Sequence, residues 1–314
     1  MTVVRRSFST FTHKDGAKQA YELFGAGHVG KRIPLVLVNG MSMLRGDWQR
    51  LVDCLAPIRP VLIFDHRGMG DSSFSTEGNE AVTLESMAKD LLELVASFGW
   101  KEVAICGYSM GGAITQQLLF LPFHPTNPTP LPFRVTHAFL TATLCEKQNN
   151  PSFGRQFKEM PPPKNGVKRT FEEKRELARP TTEMTFDPAW IANNPERFEW
   201  WLDQMTFGRP VRTILMQART LGRINFDRFH ERIPRETRIL VLHGRLDQVL
   251  PYAASREVLR RIPWAKDLEV GDKPGQVPNL EFGHQWFEYF DINVWRDVFE
   301  VFMNDPPAGP QARL

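Results

Sequence analysis

The chain has 314 residues, 42% of them hydrophobic and 24% charged, and a net charge of +3, which fits a large soluble globular fold and not a repeat array or a low-complexity chain. Bases are mixed with acids, as in Lys168, Arg169, Glu172, Glu173, Lys174 and Arg175, so this stretch reads as a solvated helix face and nucleic-acid binding is excluded. Cys54, Cys106 and Cys145 have neither metal-ligand spacing nor an even disulfide framework, which argues for a reducing compartment, and no stretch has the length of a membrane span or a secretory signal.

Phe8, Phe11, Tyr21 and Leu23 supply a pair of edge strands, a better account of the N-terminus than the transit peptide that Arg5, Arg6, Ser7, Ser9 and Lys14 imitate. Short apolar runs then alternate with amphipathic segments, the pattern of an α/β fold with a mostly parallel sheet covered on both faces. Leu35-Val36-Leu37-Val38 is a strand, residues 47–55 a helix, and Val61-Leu62-Ile63-Phe64 a strand. Thr83 caps a helix whose stripe is Leu84, Ala88, Leu91, Val95 and Phe98, and Val103-Ala104-Ile105-Cys106 is the next strand. After a strand at 135–142 the alternation stops. Residues 145–235 are rich in proline, charge and aromatics, including Pro161-Pro162-Pro163, Trp190, Trp200 and Trp201, and read as a mostly helical cap. Its aromatics either line an apolar pocket or pack the cap on the core. Alternation resumes with Arg238-Ile239-Leu240-Val241-Leu242, a helix at 252–262, a strand near 268–270 and a C-terminal helix striped by Phe287, Phe290, Val294, Val298 and Phe302. The core is thus 1–144 with 236–303, and 304–314 is a flexible tail.

The segment Cys106-Gly107-Tyr108-Ser109-Met110-Gly111-Gly112 joins strand to helix in one abrupt turn. Such a turn forces Ser109 into a strained conformation, requires hydrogen as the side chain of Gly107 and Gly111, and sets the Met110 N–H beside the hydroxyl at the positive end of the helix. A serine nucleophile needs a base, and the base an orienting carboxylate, expected on loops after later strands in the order serine, acid, histidine. Asp247 follows the strand 238–242, and His284 lies between the last strand and the C-terminal helix. Glu146 is the runner-up acid, and a structural ion pair with Arg245 is the competing account of Asp247. His13, His28, His66, His124, His137, His230 and His243 lack this placement.

In this ordered set, and in Asp65-His66-Arg67-Gly68-Met69-Gly70-Asp71-Ser72, the chain resembles the alpha/beta-hydrolase family of serine hydrolases over residues 15–303. The second stretch is similar to the family's D-x-R-G-x-G-x-S and reads as structural, since it lacks the third glycine of a dinucleotide loop and the Gly-Lys-Ser/Thr of a phosphate loop. The resemblance implies a second oxyanion donor, the Met41 N–H beside that of Met110, although Asn39-Gly40 stands where many relatives have His-Gly; Ser42 reads as a turn residue or an extra donor. It further implies hydrolysis of a carboxylic ester or lactone through an acyl-enzyme on Ser109, His284 and Asp247, without metal or organic cofactor. Thioester cleavage, C–C hydrolysis or acyl transfer on the same triad, or a weakly catalytic small-molecule-binding protein, are the alternatives.

The chain ends in Ala312-Arg313-Leu314 after a proline-rich run, a variant of the S-K-L peroxisomal address. The expected location is therefore the peroxisome, reached through its import receptor, and otherwise the cytoplasm. Fold and tail together look loosely like small fungal peroxisomal hydrolases of secondary metabolism, with small acyl esters, lactones or thioesters as substrates.

Overall fold

A computed structural model describes residues 7–78, 80–147, 169–226 and 228–304; the Pro161-Pro162-Pro163 run and the Ala312-Arg313-Leu314 address lie outside them. Strands β1 (Ser9–Thr12) and β2 (Lys18–Phe24) form an antiparallel hairpin at one edge of the sheet. Six further strands, β3 (Leu35–Val38), β4 (Val61–Phe64), β5 (Glu102–Tyr108), β6 (Arg134–Thr141), β7 (Arg238–Leu242) and β8 (Lys266–Asp267), run parallel to one another. The order is β1-β2-β4-β3-β5-β6-β7-β8, with β2 antiparallel to β4.

The inner strands are continuous apolar runs because helices cover both faces. Alternate residues enter separate cores. Val36, Val38, Leu62, Phe64 and Ile105 pack with α2 (Leu84–Ser97) and α3 (Met110–Phe120); Leu35, Leu37, Ile63, Ala104 and Cys106 pack with α1 (Gln49–Leu55) and the C-terminal helix (Ile292–Asn304). Cys106 is fully buried and burial pushes its thiol far up, as suits a core residue. Thr83 begins α2 with a reciprocal cap: its hydroxyl accepts from the Ser86 N–H at 3.0 Å, and Ser86 Oγ accepts from the Thr83 N–H at 2.9 Å.

Between β6 and β7 the chain leaves the sheet and forms α4 (Phe171–Glu183), α5 (Pro188–Asn193), α6 (Pro195–Gln204) and α7 (Val211–Leu221). Trp190 stacks on Phe186 at 4.1 Å and donates Nε1–H to the Glu288 carbonyl at 3.3 Å, and Trp201 faces Phe186 and Phe287. These two tryptophans join cap to core. Trp200 instead lies under the Arg197 guanidinium at 3.9 Å.

Three boundaries differ from the sequence reading for reasons the hydrogen bonds and backbone show, and others shift by one or two residues. The helix expected over 47–55 starts at Gln49, preceded by a 3-10 turn, Arg45–Trp48. The strand expected near 268–270 is two residues at Lys266–Asp267, because the Val277 N–H donates to the Glu269 carbonyl and Gly271 N–H to the Val277 carbonyl, folding this segment on itself. The C-terminal helix starts at Ile292. Phe290 has a φ of 62°, and Asp291 Oδ1 accepts the Asn293 N–H, so Phe287 and Phe290 belong to the approach and not to the helical stripe.

Candidate active site

The strand order reverses at β3, which lies between β4 and β5, and the crevice beyond the carboxyl ends of strands at such a point is where open α/β sheets bind ligands. The loop after β3 and the turn after β5 meet there. Ser109 directly follows β5 with φ 53° and ψ −118°, and Met110 opens α3. Such a backbone costs about 1–3 kcal/mol and needs anchoring. Ser109 N–H donates to the Thr141 carbonyl at 2.9 Å, while the Ser109 carbonyl accepts from Gly112 N–H at 3.0 Å and Thr143 Oγ1 at 2.6 Å. A Cβ on Gly111 would lie 2.1 Å from the Val38 carbonyl oxygen, and one on Gly107 2.4 Å from that of Gly111. Both positions must be glycine for strand and helix to pass this closely.

His284 Nε2 lies 3.0 Å from Ser109 Oγ, and His284 Nδ1 lies 2.7 Å from Asp247 Oδ2. The structure thus joins, in one hydrogen-bonded chain, three residues whose outermost members are 175 positions apart in sequence. Ser109, Asp247 and His284 are 8%, 8% and 4% exposed. The acid and histidine loops hold each other through Arg245 N–H to the Leu280 carbonyl and Leu246 N–H to that of Phe282. Tyr108 backs the imidazole at 5.0 Å between ring centres, and its hydroxyl donates to Gln285 Oε1.

Asp247 Oδ1 accepts the Val249 and Leu250 N–H groups, each at 2.8 Å. Burial alone would raise this carboxyl, but the nearby His284 charge and hydrogen bonds from His243 and His284 outweigh it and hold the group well below the usual carboxylate range. His243 Nε2, 3.0 Å from Asp247 Oδ2, is a neighbour that the sequence reading leaves outside the site. Arg245 does not pair with Asp247; it faces Glu281 at 3.9 Å. Glu146 is tied to Arg261 at 2.6 Å, so the carboxylate at His284 is that of Asp247.

The loop after β3 lies against the turn after β5. A Cβ on Gly40 would sit 3.2 Å from Ser109 Cβ. Asn39 shapes this loop from within: Nδ2 donates to the Phe64 carbonyl at 2.7 Å, and Oδ1 accepts from Trp48 Nε1 at 2.6 Å. Met41 follows, then Ser42 with φ 61°. Two cap residues grip Ser42. Its N–H donates to Gln217 Oε1 at 3.0 Å, and its carbonyl accepts from Arg209 Nε at 2.8 Å. Arg209 also forks onto Asp47, 2.6 and 2.8 Å away. Met110 N–H, in the first turn of α3, is one of the amides that a helix leaves without an internal acceptor.

The Asp65–Ser72 stretch is used structurally. Asp65 accepts the Arg45 and Asp71 N–H groups and pairs with the Arg45 guanidinium, while Ser72 Oγ donates to the Asp65 carbonyl. Other histidines are engaged elsewhere: His13 with Glu93 and Gln19, His66 with the Asn39 carbonyl, His230 with Gln116. Among the described residues no group of three or more His, Cys, Asp or Glu side chains is arranged to hold a metal ion. No helix there is long and apolar enough to cross a membrane.

Known proteins resemble this chain in sequence and shape. It is 30% identical over 108 residues to a putative carbamate hydrolase, RutD, of Azorhizobium caulinodans, covering 34% of this chain and 38% of that protein. It is 32% identical over 100 residues to a soluble epoxide hydrolase of a Corynebacterium strain, covering 32% of each. The matches span about a third of the length of those curated relatives. A hydrolase from Pseudomonas aeruginosa PA01 superposes with a TM-score of 0.73 at 20% identity, covering 96% of this chain and 99% of that one. The model of the alpha/beta hydrolase fold family matches residues 33–276, and with the mostly parallel sheet and the strained turn after β5 this establishes that the chain belongs to that family.

Proposed function

We propose that this protein is a serine hydrolase that cleaves a carboxylic ester or lactone through an acyl-enzyme intermediate. The observation that carries the reading is the continuous contact from Ser109 Oγ through His284 to Asp247, at 3.0 and 2.7 Å. His284 Nε2 takes the Ser109 proton as Oγ attacks the carbonyl carbon. Asp247, acceptor-only while ionised, requires a proton on His284 Nδ1, which leaves Nε2 free to act as the base, and it stabilises the imidazolium that forms. The Met41 and Met110 N–H groups receive the oxyanion, each donor being worth about a hundredfold or more in rate. The imidazolium then protonates the leaving group, and His284 activates water to release the acid.

Serine at 109 favours this acyl chemistry over epoxide opening by an aspartate nucleophile, despite the likeness to an epoxide hydrolase. The test is a panel of esters, lactones, thioesters and carbamates, together with a fluorophosphonate probe, run on wild type and Ser109→Ala. Turnover and labelling both vanish in the variant if the reading is right; persistent labelling refutes it. Isotopically labelled water separates hydrolysis from acyl transfer, since only hydrolysis places the label in the acid. The Ala312-Arg313-Leu314 tail supports a peroxisomal location. Fusing the final residues to a fluorescent protein checks it, and diffuse fluorescence counts against it.

A further inference from the structure

The imidazole of His243, the residue directly after β7, is 2% exposed and its Nε2 lies 3.0 Å from Asp247 Oδ2 and 3.1 Å from the Leu250 carbonyl oxygen. An ionised carboxylate and a carbonyl are both acceptors, so Nε2 carries the proton in this arrangement. Nδ1 is then left buried with no hydrogen-bond partner among the described residues, and the ring meets Tyr252 edge-on at 6.1 Å. An apolar side chain would fill this space without stranding a polar atom, and native cores rarely leave one stranded without a reason. What an apolar side chain cannot provide is a donor to Asp247.

That donor completes the acid. Oδ1 is occupied by the Val249 and Leu250 amides, and Oδ2 by His243 and His284, so the four acceptor positions of the carboxylate are filled from fixed directions. The two amides hold only one edge. Rotation about the Cβ–Cγ bond is stopped at the other edge by His243, which determines how Oδ2 faces His284 Nδ1.

We infer that His243 is a positioning residue for the acid: by donating Nε2–H to Asp247 Oδ2 it fixes the carboxylate edge that orients His284. The inference rests on the proposed triad chemistry. Its effect on turnover therefore passes through Asp247 and disappears when Asp247 is disabled.

The experiment compares His243→Leu and His243→Gln in the wild-type and Asp247→Asn backgrounds. It measures kcat and KM on a short activated ester and the second-order rate of fluorophosphonate labelling at Ser109. In the wild-type background His243→Leu lowers kcat and the labelling rate together by roughly ten- to a hundredfold, the rate equivalent of one hydrogen bond to a charged group, with KM within about twofold. His243→Gln, whose Nε2 reaches the place of the imidazole Nε2, recovers most of the loss. In the Asp247→Asn background His243→Leu costs less than about twofold. Equal losses in both backgrounds, or equal impairment by Leu and Gln, overturn the inference and leave His243 a packing residue. If His243→Leu does not fold, His243→Asn, too short to reach Oδ2, takes its place. A wild type that is neither labelled at Ser109 nor active on the ester defeats the triad reading itself. Normal wild-type labelling with an unimpaired His243→Leu defeats only the inference about His243.

Discussion

Replacing Arg209 by Met keeps most of the stem and removes the fork that joins the cap to the loop after β3. The Arg209 and Asp47 side chains are each only 4% exposed, and their contacts are 2.6 and 2.8 Å. Without the guanidinium, Asp47 keeps the Leu44 N–H, at 2.9 Å, but no counter-charge. Breaking a buried pair from one side costs about 3–5 kcal/mol because a charge is left stranded. At about 2–4 °C per kcal/mol, the scale for somewhat smaller domains, Arg209→Met should melt roughly 10 °C below wild type. Adding Asp47→Asn removes the stranded charge while keeping an acceptor for Leu44, so the double variant should regain most of that loss. It does not regain the bond from Arg209 Nε to the Ser42 carbonyl. We therefore expect kcat on an activated ester to stay about tenfold low in both variants, since loss of that bond loosens the neighbour of Met41. Thermal melts and steady-state kinetics on the wild type and the two variants give both answers. Melting of Arg209→Met within about 2 °C of wild type refutes the ion-pair argument. A double variant with wild-type kcat refutes the link from the cap to the oxyanion loop.

The acid can be decided directly: Asp247→Asn should lower kcat by about 10⁴ through the wrong imidazole tautomer, whereas Glu146→Gln, paired with Arg261, should stay within about twofold in the same ester assay. At the cap contact, Gln217→Glu keeps an acceptor for the Ser42 N–H and Gln217→Leu strands it, so kcat should fall further in the Leu variant; the reverse order would refute the contact. Burial, aided by Arg238 and Arg59 at His137 and by Arg261 at His230, holds both folded-state imidazoles at about 4, below the ordinary 6.5. Below 6.5 the unfolded chain takes up these protons and the folded one does not, so this stability is full above about pH 6.5 and is lost as pH falls towards 4. His137→Gln and His230→Gln should each flatten the decline of Tm between pH 7 and 4.5, and an unchanged slope in both would refute the assignment.

What could be read from the sequence was the part governed by local rules. The inner strands are legible because a strand covered on both faces must be apolar throughout, as 35–38 and 61–64 are. Ser109 is legible because glycines at 107 and 111 are demanded by contacts with Val38 and Gly111 within one short turn. Asp247 and His284 were placed by chain order, which follows from strands that end on the same side of the sheet. The pattern misplaces the strand at 266–267 because apolar Leu268 and Val270 suggest a strand, yet beyond Leu268 the hydrogen bonds of Glu269 and Gly271 go to Val277. Nothing in a linear pattern announces that return.

The side chains that hold the site were missed for a different reason. On α7, Thr213, Gln217 and Thr220 share one face at helical spacing, and periodicity assigns such a polar stripe to solvent. All three are buried. Thr213 Oγ1 donates to the Gly68 carbonyl, Thr220 Oγ1 donates to that of Val82, and Gln217 accepts from Ser42. The cap rests here on loops, and loops present carbonyls and amides that an apolar helix face would leave unpaired. A helix that docks on a sheet must be apolar on its buried face; one that docks on the loops beyond a sheet's carboxyl ends must be polar there. His243 follows the same logic, since its buried partner is a carboxylate and not a hydrocarbon. The residues that shape the candidate site therefore carry the pattern of surface residues, and only the fold of the chain around Ser109 distinguishes the two.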